Sequence, residues 1–533
     1  MPGNKQGSIC SVTSELDDDS LVSLEEPSSS VRTLTKLDDE EHLSLPSTTP
    51  TDSDDQTRSK NLVIRSYKEH ATDVLSLTGP LVMSEIFQNM LPLIDLAFVG
   101  NLPDKDDLAA AALATVWFNL WDAVMLGFNT AIDTYLAQAY GARELKGYGL
   151  WTGTGLVIAM IITCFIAGFV ALCGPAMKLF GQDEELAERA GHFSYRLIPG
   201  LFPLYAFKVL GKHLQSQEIV MPVVWIGFLA NGANALFNWL LIYKLDMGLH
   251  GAPCATSLTR LAQLVVICGY MFWNRHSENM KATWPILSHE MWTIETLRPF
   301  CKLACSGALS LSAEMWSFEV TTILAGLLGT VQLDAHVITL SISAFLFHSF
   351  AFAVGTAASI RVGQWIGDAS LENAQRSTIM SFFVAFGLQI VLIAVLLPCK
   401  DWIGTFFSSN DEVANQVALL IPISCVFMLG DSFQATTGAM RGLGLQRLVL
   451  FFNIFAYWIL AIPVGALLAF VGGMEVAGLW WGWVIGIYLV GVVGVVVMKY
   501  FISWDKLAKK GSSASFIPRF NSHQPWRLHR SRF

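Results

Sequence analysis

LGFNTAIDTYLAQAYGA, residues 126–142, and FAVGTAASIRVGQWIGD, residues 352–368, align without a gap at an offset of 226. Thr130, Ala131, Gln138 and Gly141 fall on Thr356, Ala357, Gln364 and Gly367, and Gly100 falls on Gly326 at the same offset. LIP at 197–199 recurs as LIP at 420–422, a few residues out of step. Apolar sequence produces chance identities, so the shared offset carries more weight than any one match, and it marks an internal duplication.

From about residue 78 the chain around these stretches alternates apolar runs of roughly 20 residues or more with short polar breaks, as membrane helices do. Twelve runs centre near Met90, Val124, Ile161, Pro203, Asn231, Leu264, Ala313, Phe350, Leu388, Leu429, Trp458 and Gly486. Composition agrees: 53% apolar, 14% charged and a mean hydropathy of +0.48, against about 25% charged in soluble proteins. Only helices fit, because open strands leave their backbone unsatisfied in lipid. Six spans per half is an even number, so both halves enter from the same side. The repeats are then parallel, related by an axis along the membrane normal, with a binding cavity between or within them. The expected fold is an all-α membrane protein with twelve transmembrane helices in two pseudo-twofold-related six-helix lobes.

The segments read as a disordered acidic tail (1–70), an N-lobe (75–273), a cytoplasmic linker (274–298), a C-lobe (299–502) and a basic tail (503–533). Residues 1–55 hold thirteen Asp/Glu and three Lys/Arg, so the tail accounts for the whole formal charge of −9. The acidity therefore says nothing about substrate. Rich in Ser, Thr and acids, the tail is expected to be solvated, and it lacks the basic start and apolar core of a secretory signal. Arg143, Lys146, Lys212, Arg275, Lys281, Arg298, Lys302, Arg361, Arg376, Arg441 and Arg447 fall in one alternate set of loops. Lys105, Lys178, Arg189, Lys244 and Lys400 fall in the other. The richer set is cytoplasmic, with both termini. Nine scattered cysteines without CxxC spacing read as small core residues, not as metal ligands or a disulfide set.

Acids inside the spans are the functional signal. One carboxylate at mid-bilayer costs roughly 2.5–3.5 kcal/mol on insertion scales. Span seven holds two, Glu314 and Glu319; five residues apart, they point roughly 140° apart around a regular helix. Asp431 lies mid-span ten, with Gln434 one turn on. Gln88 and Asp95 are two turns apart on span one, and Asn234 and Asn238 one turn apart on span five. Glu85 and Asp122 are further intramembrane acids without an assigned place, Asp122 being the better candidate. His348 reads as a packed polar residue or a proton relay, and Asp133 as a helix-end group. Trp117, Trp121, Trp316, Trp458, Trp480, Trp481 and Trp483 could stack on flat cations but also suit packing or the interfacial belt.

The SLTGPLVMSE…DLAFVG opening, AIDTYLAQAYGA, the EMWSFE pair, AASIRVGQWIG and DSFQATTGAMRGLGLQ, in this order over roughly 75–502, resemble the multidrug and toxic compound extrusion (MATE) family in its eukaryotic branch. The resemblance implies two lobes around a V-shaped cleft. It implies export of bulky organic cations or metabolites in exchange for protons, with sodium the alternative coupling ion and organic-anion efflux (citrate or a conjugate) the alternative substrate class. Glu314, Glu319 and Asp431 match the family's acids in spans seven and ten. A span-eight acid of some animal members falls on Ser341, a departure that counts against a three-carboxylate scheme and leaves the acids of spans seven and ten to do the work. Asp95 matches an N-lobe aspartate of prokaryotic members, but Asn238 stands where they carry a second one. In such a scheme proton and cation compete for a carboxylate whose ionised form burial disfavours.

Other classes fit less well. A lipid-linked sugar flippase would be expected to line its cleft with Arg. A membrane enzyme needs a set such as HExxH or GxSxG, and ATP use needs a P-loop; the sequence has none of these. A channel is the remaining rival. The expected partners are small organic molecules and the bilayer, without nucleic acid, metal or organic cofactor. A monomer in the plasma or vacuolar membrane is expected.

Overall fold

The computed structural model describes residues 64–507 apart from Ser409, so most of both expected tails lies outside the described residues. Twelve helical segments run antiparallel in sequence order. They are α1 Tyr67–Val99, α2 Lys105–Gly141, α3 Leu145–Ala171, α4 184–215, α5 Met221–Lys244 and α6 Gly251–Trp273 in the N-lobe. The C-lobe holds α7 Ile294–Leu328, α8 Thr330–Gly367, α9 Leu371–Leu396, α10 Asp411–Gly442, α11 Gln446–Val471 and α12 Glu475–Tyr500. Among the described residues ten helices are long and apolar enough to cross a membrane. The other two are α4, broken at Ile198–Gly200, and α7, which carries Glu295, Arg298, Lys302, Glu314 and Glu319.

Local sequence explains the boundaries. Ser66 Oγ accepts from the Glu69 amide at 3.3 Å while Glu69 returns a carboxylate to the Ser66 amide at 2.7 Å. This capping box starts α1 at Tyr67, inside the stretch read as tail. The linker is structured too. It forms Glu278–Thr283 and His289–Trp292, and Ile286 N–H bonds the Gly149 carbonyl of α3 at 3.0 Å. Asn279 and Thr283 both donate to Gln217 Oε1. Gly149 and Gly153 let the linker approach: a Cβ there would lie 2.3 and 2.1 Å from linker carbonyl oxygens.

The two lobes meet along α2, α7 and α8, and the crossing obeys the sequence repeat. A Cβ on Gly141 would lie 2.0 Å from the Gln364 carbonyl oxygen, and one on Gly367 would lie 2.2 Å from that of Gln138. Gln138 Nε2 donates to the Gly442 carbonyl at 2.8 Å, and Gln364 Nε2 to the Ser216 carbonyl at 3.0 Å. Every residue of these pairs maps onto its counterpart at the offset of 226. The left-handed backbone positions follow the same rule: Arg143 and Ala369 have φ of 59° and 58°, Glu218 and Gly444 66° and 77°. The repeat is thus a structural pseudo-twofold.

Further bonds close the seam on the side where both ends of the described chain lie. Arg361 pairs with Glu218 and reaches the Asp73 carbonyl. His70 Nε2 contacts Asn373 Oδ1 at 3.2 Å. Asn89–Ser349 and Trp316–Leu120 are bonded nearer mid-depth. Among the described residues no hydrogen bond joins the lobes through the loops of the opposite side.

Trp480 and Trp483 are buried in the C-lobe core, and Trp121 stacks on Phe169 at 3.9 Å between centroids, so these rings pack. Of the eight cysteines described, all are free, but only Cys173 and Cys425 are buried. Reading the cysteines as core residues is therefore corrected: Cys164, Cys268, Cys301 and Cys305 are exposed, four apolar thiols on the outer surface of the helices.

Candidate functional site

The C-lobe site is built around Glu314, 2% exposed. Its Oε1 accepts from Gln434 Nε2 of α10 at 3.0 Å and from the Tyr457 hydroxyl of α11 at 3.2 Å. Its Oε2 accepts from Asn453 Nδ2 at 3.2 Å. Thr437 donates to Gln434 Oε1 at 2.9 Å, which turns the amide so that its NH2 faces the carboxylate. Asn453 and Tyr457 are one turn apart where α11 passes from α-helix to the π-helical Ile454–Ala461, a local widening common at functional sites. Arg441 shares a small cavity with Glu314, Gln434, Thr437, Asn453 and Tyr457; it holds about 10 Å³, room for roughly one water. Arg441 is 5% exposed, and its Nη2 has no hydrogen-bond partner.

Asp431 opens a 3-10 turn, Asp431–Phe433, that interrupts α10. It is 1% exposed, Oδ1 has no hydrogen-bond partner, and it lies within electrostatic reach of Glu314. Glu319 is half-buried on another face of α7 and does not line the Glu314 cavity. Ser341 is exposed and bonds only its own helix.

The N-lobe site centres on Asp95, 8% exposed. Oδ1 accepts from Asn234 at 3.1 Å and Asn238 at 2.8 Å; Oδ2 accepts from Thr256 of α6. Gln88 does not join it. Its amide turns back to Ser84 at 3.4 Å on its own helix, so the two-turn spacing aligned the residues on a face without bringing them into contact. His348 Nδ1 donates to the Ala344 carbonyl at 2.8 Å within α8, a packed arrangement in a second, apolar cavity lined by Met315, Phe318, Phe347 and Trp483. Asp122 is paired with Lys208, both carboxylate oxygens lying within 3.1 Å of Nζ, and Asp133 with Lys212 at 3.0 Å.

Arg441, Asn453, Tyr457, Thr256, Lys208 and Lys212 were missed as site residues. Asn453 and Tyr457 share a helix face in an apolar run, the same signal that singled out Asn234 and Asn238. Lys212 and Arg441 sit near span ends and were read as loop charges. Among the described residues no group of three or more His, Cys, Asp or Glu could hold a metal ion.

Comparison with known proteins agrees with this architecture. The MatE family model matches residues 80–240 and 308–467, one copy in each lobe. Protein DETOXIFICATION 16 of Arabidopsis thaliana is 30% identical over 84% of this chain and 91% of its own length. Multidrug and toxin extrusion protein 1 of Rattus norvegicus is 29% identical over 80% of this chain and 74% of its own. The crystal structure of the eukaryotic MATE transporter AtDTX14 superposes with a TM-score of 0.79 at 25% identity, covering 84% of this chain and 99% of that one. The chain therefore belongs to the MatE family of multidrug and toxin extrusion transporters, which are membrane carriers and not enzymes.

Proposed function

We propose that this transporter exports organic cations in exchange for protons, with Glu314 as the exchangeable charge. The observation that supports this is the environment of the carboxylate. Three neutral donors hold Glu314, and among the described residues none forms an ion pair with it, although Arg441 lines the same cavity. A carboxylate so placed can lose and regain its charge without breaking a salt bridge. Gln434, Asn453 and Tyr457 stabilise the ionised form; Thr437 orients Gln434; Asp431 is the second acid. A proton and an organic cation then compete for Glu314, and opening the lobes alternately to each side converts that competition into antiport. The gradient supplies about 2.3 kcal/mol per charge per 100 mV in addition to its pH component.

The charge distribution of the loops favours a cytoplasmic location for both termini, so the sealed side is cytoplasmic and the cleft opens outward. Plasma and vacuolar membranes both suit that orientation. Asp95 is held by the same kind of donors, two amides and a hydroxyl; on this reading the exchangeable acid is Glu314, which lines a cavity with room for a water, and the Asp95 cluster is structural.

The test is uptake of a fluorescent organic cation into proteoliposomes under an imposed pH gradient. Glu314→Gln and Asp431→Asn are each expected to abolish gradient-driven uptake; full transport by both variants would overturn the scheme. Sodium and proton gradients compared in the same vesicles identify the ion. Organic-anion efflux is the second reading, because Arg441 presents an unpartnered, buried guanidinium nitrogen to the same cavity. Uptake of a labelled tricarboxylate with none of the cation would establish it.

A further inference from the structure

Two thiols on the outer face of α7 take no part in the sites described above. Cys301 and Cys305 are one turn apart, and both are exposed. Positions three and four apart share a helix face, and Ile294, Arg298 and Leu309, all exposed, extend this face in both directions. The opposite face carries Phe300, Ala304, Gly307 and Leu311, which are buried. Phe300 stacks on Tyr135 and Trp151, and a Cβ on Gly127 of α2 would lie 2.3 Å from the Gly307 carbonyl oxygen. This half of α7 is thus packed against α2 where the seam is sealed, and the side bearing the thiols looks outward, away from the cleft.

Depth follows from charge. Between Lys302 and the end of α7 at Leu328 the only charged residues are Glu314 and Glu319. At 1.5 Å per residue that stretch rises roughly 39 Å, and the hydrocarbon core is roughly 30 Å thick. Lys302 therefore stands among the lipid headgroups, with Cys301 beside it and Cys305 at the edge of the hydrocarbon. The exposed Trp292 and Ile294, just before and at the start of α7, suit the same interface. The pair is neither a disulfide nor a metal site. Neighbours on a helix face keep their Cβ atoms about 5–6 Å apart, against about 3.8 Å across a disulfide, and both thiols are free. Among the described residues no group of three or more His, Cys, Asp or Glu could hold a metal ion.

We propose that Cys301 and Cys305 are sites of S-acylation by a fatty acyl thioester. The cysteine sulfur attacks the carbonyl carbon of an acyl-coenzyme A. A bond from that sulfur to the acyl carbon forms, the bond to the coenzyme's sulfur breaks, and coenzyme A leaves as the thiol with the proton the cysteine gives up. Nothing is oxidised or reduced. Thiols at the membrane edge of a helix are the kind that take such groups. Arg298 and Lys302 flank the pair and suit the phosphates of coenzyme A, and the acyl chain, once attached, lies along Leu309 in the same leaflet. The inference goes beyond the transport reading and takes from it only the cytoplasmic orientation of this end, where acyl-coenzyme A is at hand.

The experiment expresses the full-length chain in yeast with Cys10→Ser and Cys268→Ser, which removes the thiol of the acidic tail and the exposed thiol of α6. Free thiols are blocked with N-ethylmaleimide, thioesters are cleaved with neutral hydroxylamine, and a polyethylene glycol maleimide tags each thiol released. Two mass steps are expected, one step in Cys301→Ser or in Cys305→Ser, none in the double variant and none without hydroxylamine. The same protein in nanodiscs, given palmitoyl-coenzyme A, is expected to acylate the pair about tenfold faster than Cys164, an exposed thiol nearer the opposite end of the spans. Absence of hydroxylamine-sensitive steps in both cells and nanodiscs would overturn the sites, as would steps that persist in the double variant. Acylation of Cys164 in cells would overturn them too, by placing this end of α7 on the other side of the membrane. Gradient-driven uptake by Glu314→Gln with both steps retained would count against antiport and leave the acylation sites standing.

Discussion

Replacing Gly141 by alanine should open the seam. The new Cβ would lie 2.0 Å from the Gln364 carbonyl oxygen and 2.6 Å from its carbon, backbone atoms that cannot swing aside. Ordinary contact begins near 3.4 Å, so α2 and α8 must part by about 1.4 Å at their crossing. Overpacking of this kind costs about 1–3 kcal/mol. The cost falls only on the conformation in which the helices touch, whereas the better helix propensity of alanine, up to about 1 kcal/mol, favours both conformations equally. A differential of about 2 kcal/mol changes the ratio of sealed to open molecules roughly 30-fold. Spin labels at Arg143 and Ala369, exposed and just beyond the two helix ends, report the separation by double electron–electron resonance. The short-distance population should shrink in Gly141→Ala and in its twin Gly367→Ala. Gly387→Ala, which meets nothing within 4 Å, should leave the distribution unchanged. Identical distributions in wild type and both seam variants would refute the assignment of this crossing as the seal.

Asn453→Ala removes a donor to Glu314 and frees the Ser310 carbonyl; a hydrogen bond to a charged group is worth about 1.5–3 kcal/mol, so initial rates of gradient-driven uptake should fall at least tenfold. Thr256→Val strands Asp95 Oδ2 and should lower the unfolding temperature measured by scanning fluorimetry, about 1–3 kcal/mol of stability, with coupling stoichiometry unchanged. On the side opposite the termini, Arg189 pairs with Asp104, Asp107 and Glu185, and its hydrogen bond holds the exposed Asp104 carboxyl below the usual range. The folded-state value is depressed, so this contribution is complete above pH about 4 and is lost as pH falls through the folded value. Proteolysis near Asp104 should increase over that acid window in the wild type and at all pH values in Arg189→Ala.

What could be read in advance follows from what hydropathy records. Spans are long apolar runs, and α1 to α12 correspond to the twelve centres. The duplication was visible because Gln138–Gly141 and Gln364–Gly367 are held by close backbone contact, which tolerates little change. Single buried acids were visible because lipid makes them costly. Their partners were not: Asn453 and Tyr457 reach Glu314 from another helix more than 130 residues on, and only packing brings them together. Lys208 escaped notice because one lysine in an apolar run resembles a snorkelling residue until Asp122 is opposite it. Lys212, Arg361 and Arg441 entered the loop count used for orientation, yet all three turn inward to acids or cavities. The excess on the terminal side then rests on Arg143, Lys146, Arg275, Lys281, Arg298, Lys302, Arg376 and Arg447.

The crossing of α2 and α8 also bears on ancestry. Contacts traded between equivalent positions are what a homodimer makes about its own axis. Two separate half-length chains, each with a Gln–x–x–Gly helix end and a carbonyl to receive its partner's amide, would clasp in the manner of residues 138–141 and 364–367. Away from this crossing the twin positions differ: His348 stands where its twin is Asp122, and Gln434 where its twin is Lys208. The clasp itself kept its symmetry, so a substitution on one side should be answered by the matching substitution on the other.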